Sequence, residues 1–551
     1  MKRIDFKIAR KLVLVPLFIF GLLFNSCEEI IELDPYNQVS ETTAFSTPEL
    51  VELSVVGMYN AAQRGYYFTT SAQYRGYPFG AAFVQQGDCR GEDAVNQQAF
   101  YRFTYEGTYD PTTANNVYYW SDTYMLINRC NIVIDGVRTA AQNNVITTEA
   151  AERYEGEARL LRAAAYHELL VLFARPYKHS ADASHMGVPY HDTPFTTVAA
   201  IDEGRTKGRE SVAFVYGKIL EDLNYAEDKL PLRSGWSGNY QMARGTKGAA
   251  AAYKTRIYQH MYRWEDVITE GNKFVTGVYA GEYAMEAAPW LAYGNYGSKE
   301  YVFGMQNSGT NNPGVNAALA SQYKRRMLVC ISPIIWRNSF WLPDDLRRKG
   351  DDADDLPNLD EVPDTDMIFK VGGQVYTNKY RDVTNYTDPS PMMRYPEVLL
   401  NTAEAYARLT PAGAPDANAL ALLNEVRDRS LADPANQSYT AADFGTNVDL
   451  LEAILAERRI EFVMEGRRWP DIHRLQHCPH FPINGIPAKV ANLNPVPAEW
   501  FSNPGEFGTG PDESFGIVNY VYDDYRFVWP LPLIETSANP VLAGQQNPGY
   551  Q

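Results

Sequence analysis

The segment running from Thr148 to Phe173 restricts the possible folds most. Its apolar residues Tyr154, Ala158, Leu161, Ala165, Leu169 and Leu172 recur at steps of three and four, a spacing that lines one face of an α-helix but would scatter over both faces of a strand. Glu149 and Glu152 favour the positive helix start, and Pro176 stops propagation soon after the last apolar turn. The same period predicts helices over 120–137, 211–230, 247–262, 264–275, 395–409, 416–430 and 448–465. These come in pairs separated by short turns. Tyr216 and Ala250 open comparable stretches one tetratricopeptide length apart, although no strict consensus of that repeat is present. The organised frame is therefore mainly α.

Fifty basic against 67 acidic side chains leave a net charge of −17, which opposes attraction to nucleic-acid phosphates or anionic lipid heads. No nucleic-acid partner is expected. At the start of the chain Lys2, Arg3, Lys7, Arg10 and Lys11 precede an apolar run over 12–24. A basic segment followed by a short apolar run is a secretory leader, and the run falls short of the roughly 20 residues that span a bilayer. It ends at Asn25-Ser26-Cys27, which resembles the lipobox of bacterial lipoproteins, with Phe24 and Asn25 departing from its preferred aliphatic and small residues. Residues 1–26 are thus expected to be a signal peptide and Cys27 the site of lipidation. Several acyl chains, at about 0.8 kcal/mol per buried CH₂, would anchor the body firmly. Glu28 and Glu29 resemble the signal that sends Bacteroidetes lipoproteins to the outer face of the outer membrane. The remaining Cys89, Cys130, Cys330 and Cys478 allow three complete pairings, yet their wide spacing shows no staple framework, and buried or unpaired thiols are expected as readily as bridges.

Several strings, in order along the mature chain, resemble those of the SusD/RagB-like outer-membrane lipoproteins that bind nutrients at the Bacteroidetes surface. Leu33-Asp34-Pro35, with Val39-Ser40 and Phe45, is similar to that family's opening. Trp120, Tyr124, Ile127, Asn128 and Asn131 resemble its first long helix, and Gly156-Glu157-Ala158-Arg159 leading to Leu161-Arg162-Ala163 and Tyr166 resembles its most recognisable one. Gly187-Val188-Pro189, Asp222-Leu223 and Thr246-Lys247-Gly248 follow. Further on come Arg394-Tyr395-Pro396-Glu397, Leu423-Asn424-Glu425-Val426-Arg427, Glu457-Arg458-Arg459 with Glu465-Gly466-Arg467-Arg468-Trp469, Trp529-Pro530-Leu531-Pro532 and Asn547-Pro548-Gly549-Tyr550. Pro396 departs from the commoner helix-forming residue, which is tolerable near a helix start.

The resemblance implies a tetratricopeptide-like α-α superhelix of four helix pairs, with long irregular loop excursions forming the ligand face. It implies one domain over 27–551: a helical part over about 40–275, a loop-rich part over about 276–393, and a C-terminal helical and tail part over about 394–551. The implied function is capture of a glycan at the cell surface and its delivery to a TonB-dependent, SusC-like barrel transporter. A RagB-like peptide binder with the same fold is the alternative. No enzyme activity and no cofactor are implied.

A lipid-anchored hydrolase would need a carboxylate pair, and Glu457, Glu461 and Glu465 stand four residues apart on one helical face. Arg458 and Arg468 lie at pairing distance along the same helix, which favours ionised carboxylates over a general acid. His167-Glu168 lacks the second imidazole of a zinc protease, because position 171 is valine. His473, His477, Cys478 and His480 could face a metal only if a helix ran past Pro470, and an ordinary polar surface is expected. The acidic run 351–366 lacks the glycine and terminal glutamate of a calcium loop.

The stretches 64–115, 279–316, 333–391 and 476–551 show little periodicity, and loops this long usually carry function. The chain holds 38 Tyr, 9 Trp and 24 Phe; linkers are poor in aromatics, so these stretches are expected to be ordered. Sugar rings offer apolar C–H faces edged by hydroxyls, and a surface that holds them needs flat rings flanked by carboxylates, amides and guanidinium groups. Two loop clusters have that composition. The first provides Tyr66, Tyr67, Tyr74, Asp88, Arg90 and Asn96, the second Trp290, Tyr293, Tyr296 and Trp336 with Asn307 and Asn312 nearby. These are the candidate ligand-binding residues, and about half of the rings are expected to serve as core.

Overall fold

A computed structural model describes residues 43–65, 74–356 and 358–550. The leader, Cys27 and Leu33-Asp34-Pro35 lie outside the described residues, as do Tyr66 and Tyr67.

The principal helices are α1 (Pro48–Arg64), α2 (Ala81–Arg90), α3 (Ala114–Gln142), α4 (Thr148–Phe173), α5 (Val212–Lys229), α6 (Lys247–Met261), α7 (Trp264–Val275), α8 (Tyr395–Leu409), α9 (Ala417–Asp428), α10 (Asn447–Glu461) and α11 (Arg468–Arg474). Most starts are set by a side-chain oxygen that accepts from an otherwise unpaired backbone N–H. Thr147 caps Ala150 N at 3.2 Å, Ser211 caps Phe214 N at 3.1 Å and Thr246 caps Ala249 N at 2.9 Å. Thr446 and Asp449 form a reciprocal capping box at the start of α10. Pro396 falls in the first turn of α8, where its missing N–H costs nothing.

Helices α3 to α10 pack in chain order as four pairs, α3 on α4, α5 on α6, α7 on α8 and α9 on α10, and each pair leans on the next. This is the tetratricopeptide-like superhelix. The spine of its first half is α4, buried on nearly every side from Tyr154 to Phe173 because α3 and α5 clasp it from both flanks. At about 1.5–3 kcal/mol per fully buried large apolar side chain, this sandwich dominates the local energetics. One continuous apolar core runs from Val51 through α4 to Leu542.

The excursions carry more regular structure than their lack of periodicity suggests. Three short antiparallel ladders hold them: β1 (Ala94–Asn96) on β3 (Val329–Ile331), β2 (Tyr301–Met305) on β6 (Ser390–Arg394), and β4 (Ile368–Val371) on β5 (Gln374–Thr377). Nearly every residue of these strands is buried, so no polar alternation marks them. Helix α2 lies inside the stretch read as irregular, and it too is buried almost all round.

The C-terminal segment closes over the N-terminal helices. Trp529 N donates to Leu172 O at 2.9 Å, and Asn547 Nδ2 donates to both Phe173 O and Trp529 O at 2.9 and 2.7 Å. Arg90 donates to Phe527 O at 2.8 Å while its guanidinium lies 3.7 Å over the Trp469 ring. The four cysteines Cys89, Cys130, Cys330 and Cys478 are buried free thiols. Among the described residues no helix is long and apolar enough to cross a membrane.

Candidate functional site

The carboxylates that could suggest hydrolysis are bound into an ion network. Glu457 and Glu461 receive Arg347, Glu461 and Glu465 receive Arg394, and Glu465 also receives Lys379. Arg429 bridges Glu461 and Glu300. The pairing follows the sequence expectation but the partners do not, because the cations come from other elements. Arg458 turns to Asp471 and Glu397, and Arg468 to Glu92. Burial alone would raise the Glu461 carboxyl, but Arg429, Arg394 and Arg347 together hold it well below the usual range. A carboxylate kept ionised in this way cannot donate a proton at neutral pH. His473 is buried with Nε2 3.0 Å from Ala174 O, and no group of three or more His, Cys, Asp or Glu among the described residues could hold a metal.

The candidate ligand residues divide by burial. Asp88 is interior, accepting from Tyr323 Oη at 2.5 Å and Gly466 N at 2.7 Å, and burial pushes its carboxyl up to about 7. Arg90 is held by Phe527 and Trp469 as described, and Asn96 on β1 donates to Gln98 O at 2.6 Å. Tyr293 donates to Glu465 Oε1 at 2.8 Å inside the ion network. Trp336 packs edge-on against Trp341, with ring centroids 5.4 Å apart, under the Arg348 guanidinium. These five lie in the interior, and this placement differs from the sequence expectation of an open face. The polar groups of a long ordered loop must be paired somewhere, and here the protein pairs most of them itself. Trp290, Tyr296 and Tyr74 are half-buried. The Arg64 guanidinium lies 3.3 Å over the Tyr74 ring, and Lys349 Nζ lies 5.1 Å over Trp290.

An open cleft of about 240 Å³ lies where the C-terminal half of α1 meets the end of β2 and the turn before α6. Tyr59, Asn60 and Gln63 of α1, Tyr240 and Arg244 of the turn, and Gln306, Asn307 and Asn311 beyond β2 line it. Tyr240 is 48% exposed. Tyr59 is fixed from behind, donating to Glu157 Oε2 at 2.7 Å and accepting from Gly245 N at 2.8 Å. Arg244 forks onto Glu157 at 2.5 and 2.8 Å and reaches Glu52 at 2.6 Å. Asn307 is positioned by Tyr296, whose hydroxyl accepts from Asn307 N at 3.0 Å and donates to Thr387 O at 2.5 Å. The side-chain amides of Asn60 and Gln306 are half-buried, and no described residue takes up their hydrogen-bonding groups.

Sequence reading thus reached Asn307 and Tyr296 but not Tyr59, Asn60, Tyr240 or Gln306. The available signals were Tyr59-Asn60 near the end of an amphipathic helix and Tyr240 directly after the Gly238-Asn239 turn.

Residues 31–259 match a family profile described as starch-binding, associating with the outer membrane, and residues 351–550 match the SusD family. The chain belongs to the SusD/RagB-like family. SusD-like protein P38 of Formosa agariphila is 24% identical over 84% of this chain and 91% of its own length. A SusD superfamily protein of Bacteroides fragilis superposes with a TM-score of 0.69 at 25% identity, covering 90% of this SusD-like chain and 99% of its own. A SusD-like carbohydrate binding protein of Bacteroides vulgatus has the same fold, with a TM-score of 0.65 at 19% identity over 90% of this chain and 97% of its own.

Proposed function

We propose that this SusD-like chain is a cell-surface lipoprotein, anchored through Cys27, that captures an oligosaccharide or polysaccharide and passes it intact to a TonB-dependent barrel transporter. It breaks no bond of its ligand. The observation that carries this reading is the α1/β2 cleft, where an exposed tyrosine ring stands beside two amides that have no partner among the described residues. A ring offers a face to the C–H side of a sugar, and each amide offers both a donor and an acceptor to its hydroxyls. The starch-binding description of the profile over 31–259 and the carbohydrate-binding name of the Bacteroides vulgatus neighbour support the same ligand class. The ionised, Arg-paired state of Glu461 argues against the hydrolase reading.

The test is a glycan array followed by calorimetry on a soluble form beginning at residue 28. Binding to a defined glycan, weakened by Asn60→Ala and Tyr240→Ala at unchanged melting temperature, is the expected result. Binding to peptide mixtures and to no glycan would overturn it in favour of the peptide-binding alternative, and release of reducing sugar by the purified chain would overturn the absence of catalysis.

A further inference from the structure

A second cavity, larger than the cleft just described, lies elsewhere. It is a groove of about 820 Å³ on the outer side of α3, walled by the segment 189–207 and by the short C-terminal helix Leu533–Ala538. Its volume lies in the range of small-molecule sites, and its walls are pinned before any ligand arrives. Tyr124 Oη donates to Pro189 O at 2.8 Å, Phe195 N donates to Asn128 Oδ1 at 2.8 Å, and Asn539 Nδ2 donates to Lys207 O at 2.8 Å.

Three features of the lining need explanation. The first is Glu535, half-buried at the groove, whose carboxylate has no hydrogen bond or ion pair to any described residue. Burial alone acts on it and raises its pKa, and the cations that share the groove, Arg129, Arg205 and Lys207, form no ion pair with it, Arg205 and Lys207 being paired with Asp202 and Glu203. The second is His191, 8% exposed, whose ring Nδ1 has no partner among the described residues. Burial and the neighbouring Lys207 hold its pKa at about 4, so it is a neutral ring at pH 7. The third is a group of aromatic rings: Tyr124 and Phe195 flank His191 at 5.8 and 4.8 Å, and Trp120 lies 4.7 Å from Tyr124. Burial, then Tyr166 and Glu535, push the Tyr124 hydroxyl well up, Arg209 acts the other way, and Glu535 lines the same groove as these rings.

We infer that this groove is a second binding site, for a small organic ammonium compound with an apolar body. The ammonium pairs with Glu535 and lies against the electron-rich faces of the neighbouring rings, an arrangement that attracts a desolvated cation. The apolar body covers Met125 and Ile201, which are 42% and 40% exposed. The neutral His191 ring provides a hydrogen-bonding edge that no described residue uses.

The probe is phenethylammonium, compared with its uncharged analogue 2-phenylethanol, titrated by calorimetry into the soluble chain. Phenethylammonium is expected to bind and 2-phenylethanol to bind more weakly. Glu535→Gln should weaken the amine by about tenfold or more while leaving the alcohol unchanged. Met125→Trp, which fills the groove and spares the carboxylate, should weaken both. Failure of the amine to bind at millimolar concentration, or equal amine affinity in Glu535→Gln, would overturn the assignment. Glycan affinity measured on Glu535→Gln separates this site from the α1/β2 cleft: it is expected to be unchanged, and a parallel loss would show that the groove is not a separate site.

Discussion

Arg394, the last residue of β6, lays its guanidinium across the Glu465 carboxylate, with Nε and Nη2 each 2.8 Å from one oxygen, and neither side chain is more than 2% exposed. The same guanidinium reaches Glu461 at 2.8 Å and Glu300 at 3.0 Å. Removing it leaves buried carboxylates without their main counter-ion, a change that costs about 3–5 kcal/mol. Arg394→Met should therefore lower the unfolding free energy measured in urea by that amount, seen as a lower midpoint at unchanged slope. A loss below about 1 kcal/mol would mean that Arg429, Arg347 and Lys379 carry the network without it.

Asp88 gives the fold a pH dependence of unusual sign. Burial raises its folded value to about 7, above the unfolded carboxyl near 4. The folded state therefore keeps a proton that the unfolded chain releases between those values. Its contribution is greatest below about pH 4, falls as pH rises towards 7, and is flat above that. In mid-range the slope is about 1.4 kcal/mol per pH unit. Asp88→Asn should abolish this slope, so the variant gains on the parent between pH 5 and 7 in denaturation curves. Parallel curves would show that the carboxyl titrates normally.

Gly87 on α2 meets the backbone of Gly466, where an added Cβ would come within 2.2 Å of a carbonyl oxygen, and Gly466 itself adopts φ +73°. Backbone cannot yield as a flexible side chain would. Gly87→Ala is expected to destabilise by about 3 kcal/mol or more, or to abolish soluble expression. A melting temperature within a degree or two of the parent would contradict this close approach.

Cys89, Cys130, Cys330 and Cys478 are buried, and burial pushes the thiols of the first three well above their ordinary value. The soluble form beginning at residue 28 should react with none of its thiols toward a disulfide reagent when native and with all of them in denaturant. Rapid native labelling would place at least one on an accessible surface.

Tyr240 and Tyr293 should separate binding from stability. Tyr240→Ala removes an exposed ring from the cleft and is expected to lower glycan affinity about tenfold at constant melting temperature. Tyr293→Phe removes a hydroxyl bonded to Glu465 and should lower stability by about 1 kcal/mol with glycan affinity intact. The reverse pattern would move the ligand face to the loop that carries Trp290.

The helical frame was legible because its faces are amphipathic. The bounds of Thr148–Phe173, Trp264–Val275 and Tyr395–Leu409 agree with those read from periodicity. Helix α2 was not legible, because Ala81 to Arg90 is buried almost throughout and buried polar residues such as Gln85, Gln86 and Asp88 erase the apolar stripe. The ladders escaped for the same reason. At the site, composition pointed to rings and amides in the right loops, but which rings stay outside depends on long-range partners. Tyr293 is drawn inward by Glu465, far away in sequence, whereas Tyr240 remains out because its short turn packs through Met242 and Ala243 beneath it.

The contacts of Trp529 and Asn547 with the last turn of α4, and of Arg90 with Phe527, make the earliest helices depend on the latest residues. During synthesis the first third of the polypeptide emerges without the segment that seals it. Its final architecture can lock only once the last residues have left the ribosome.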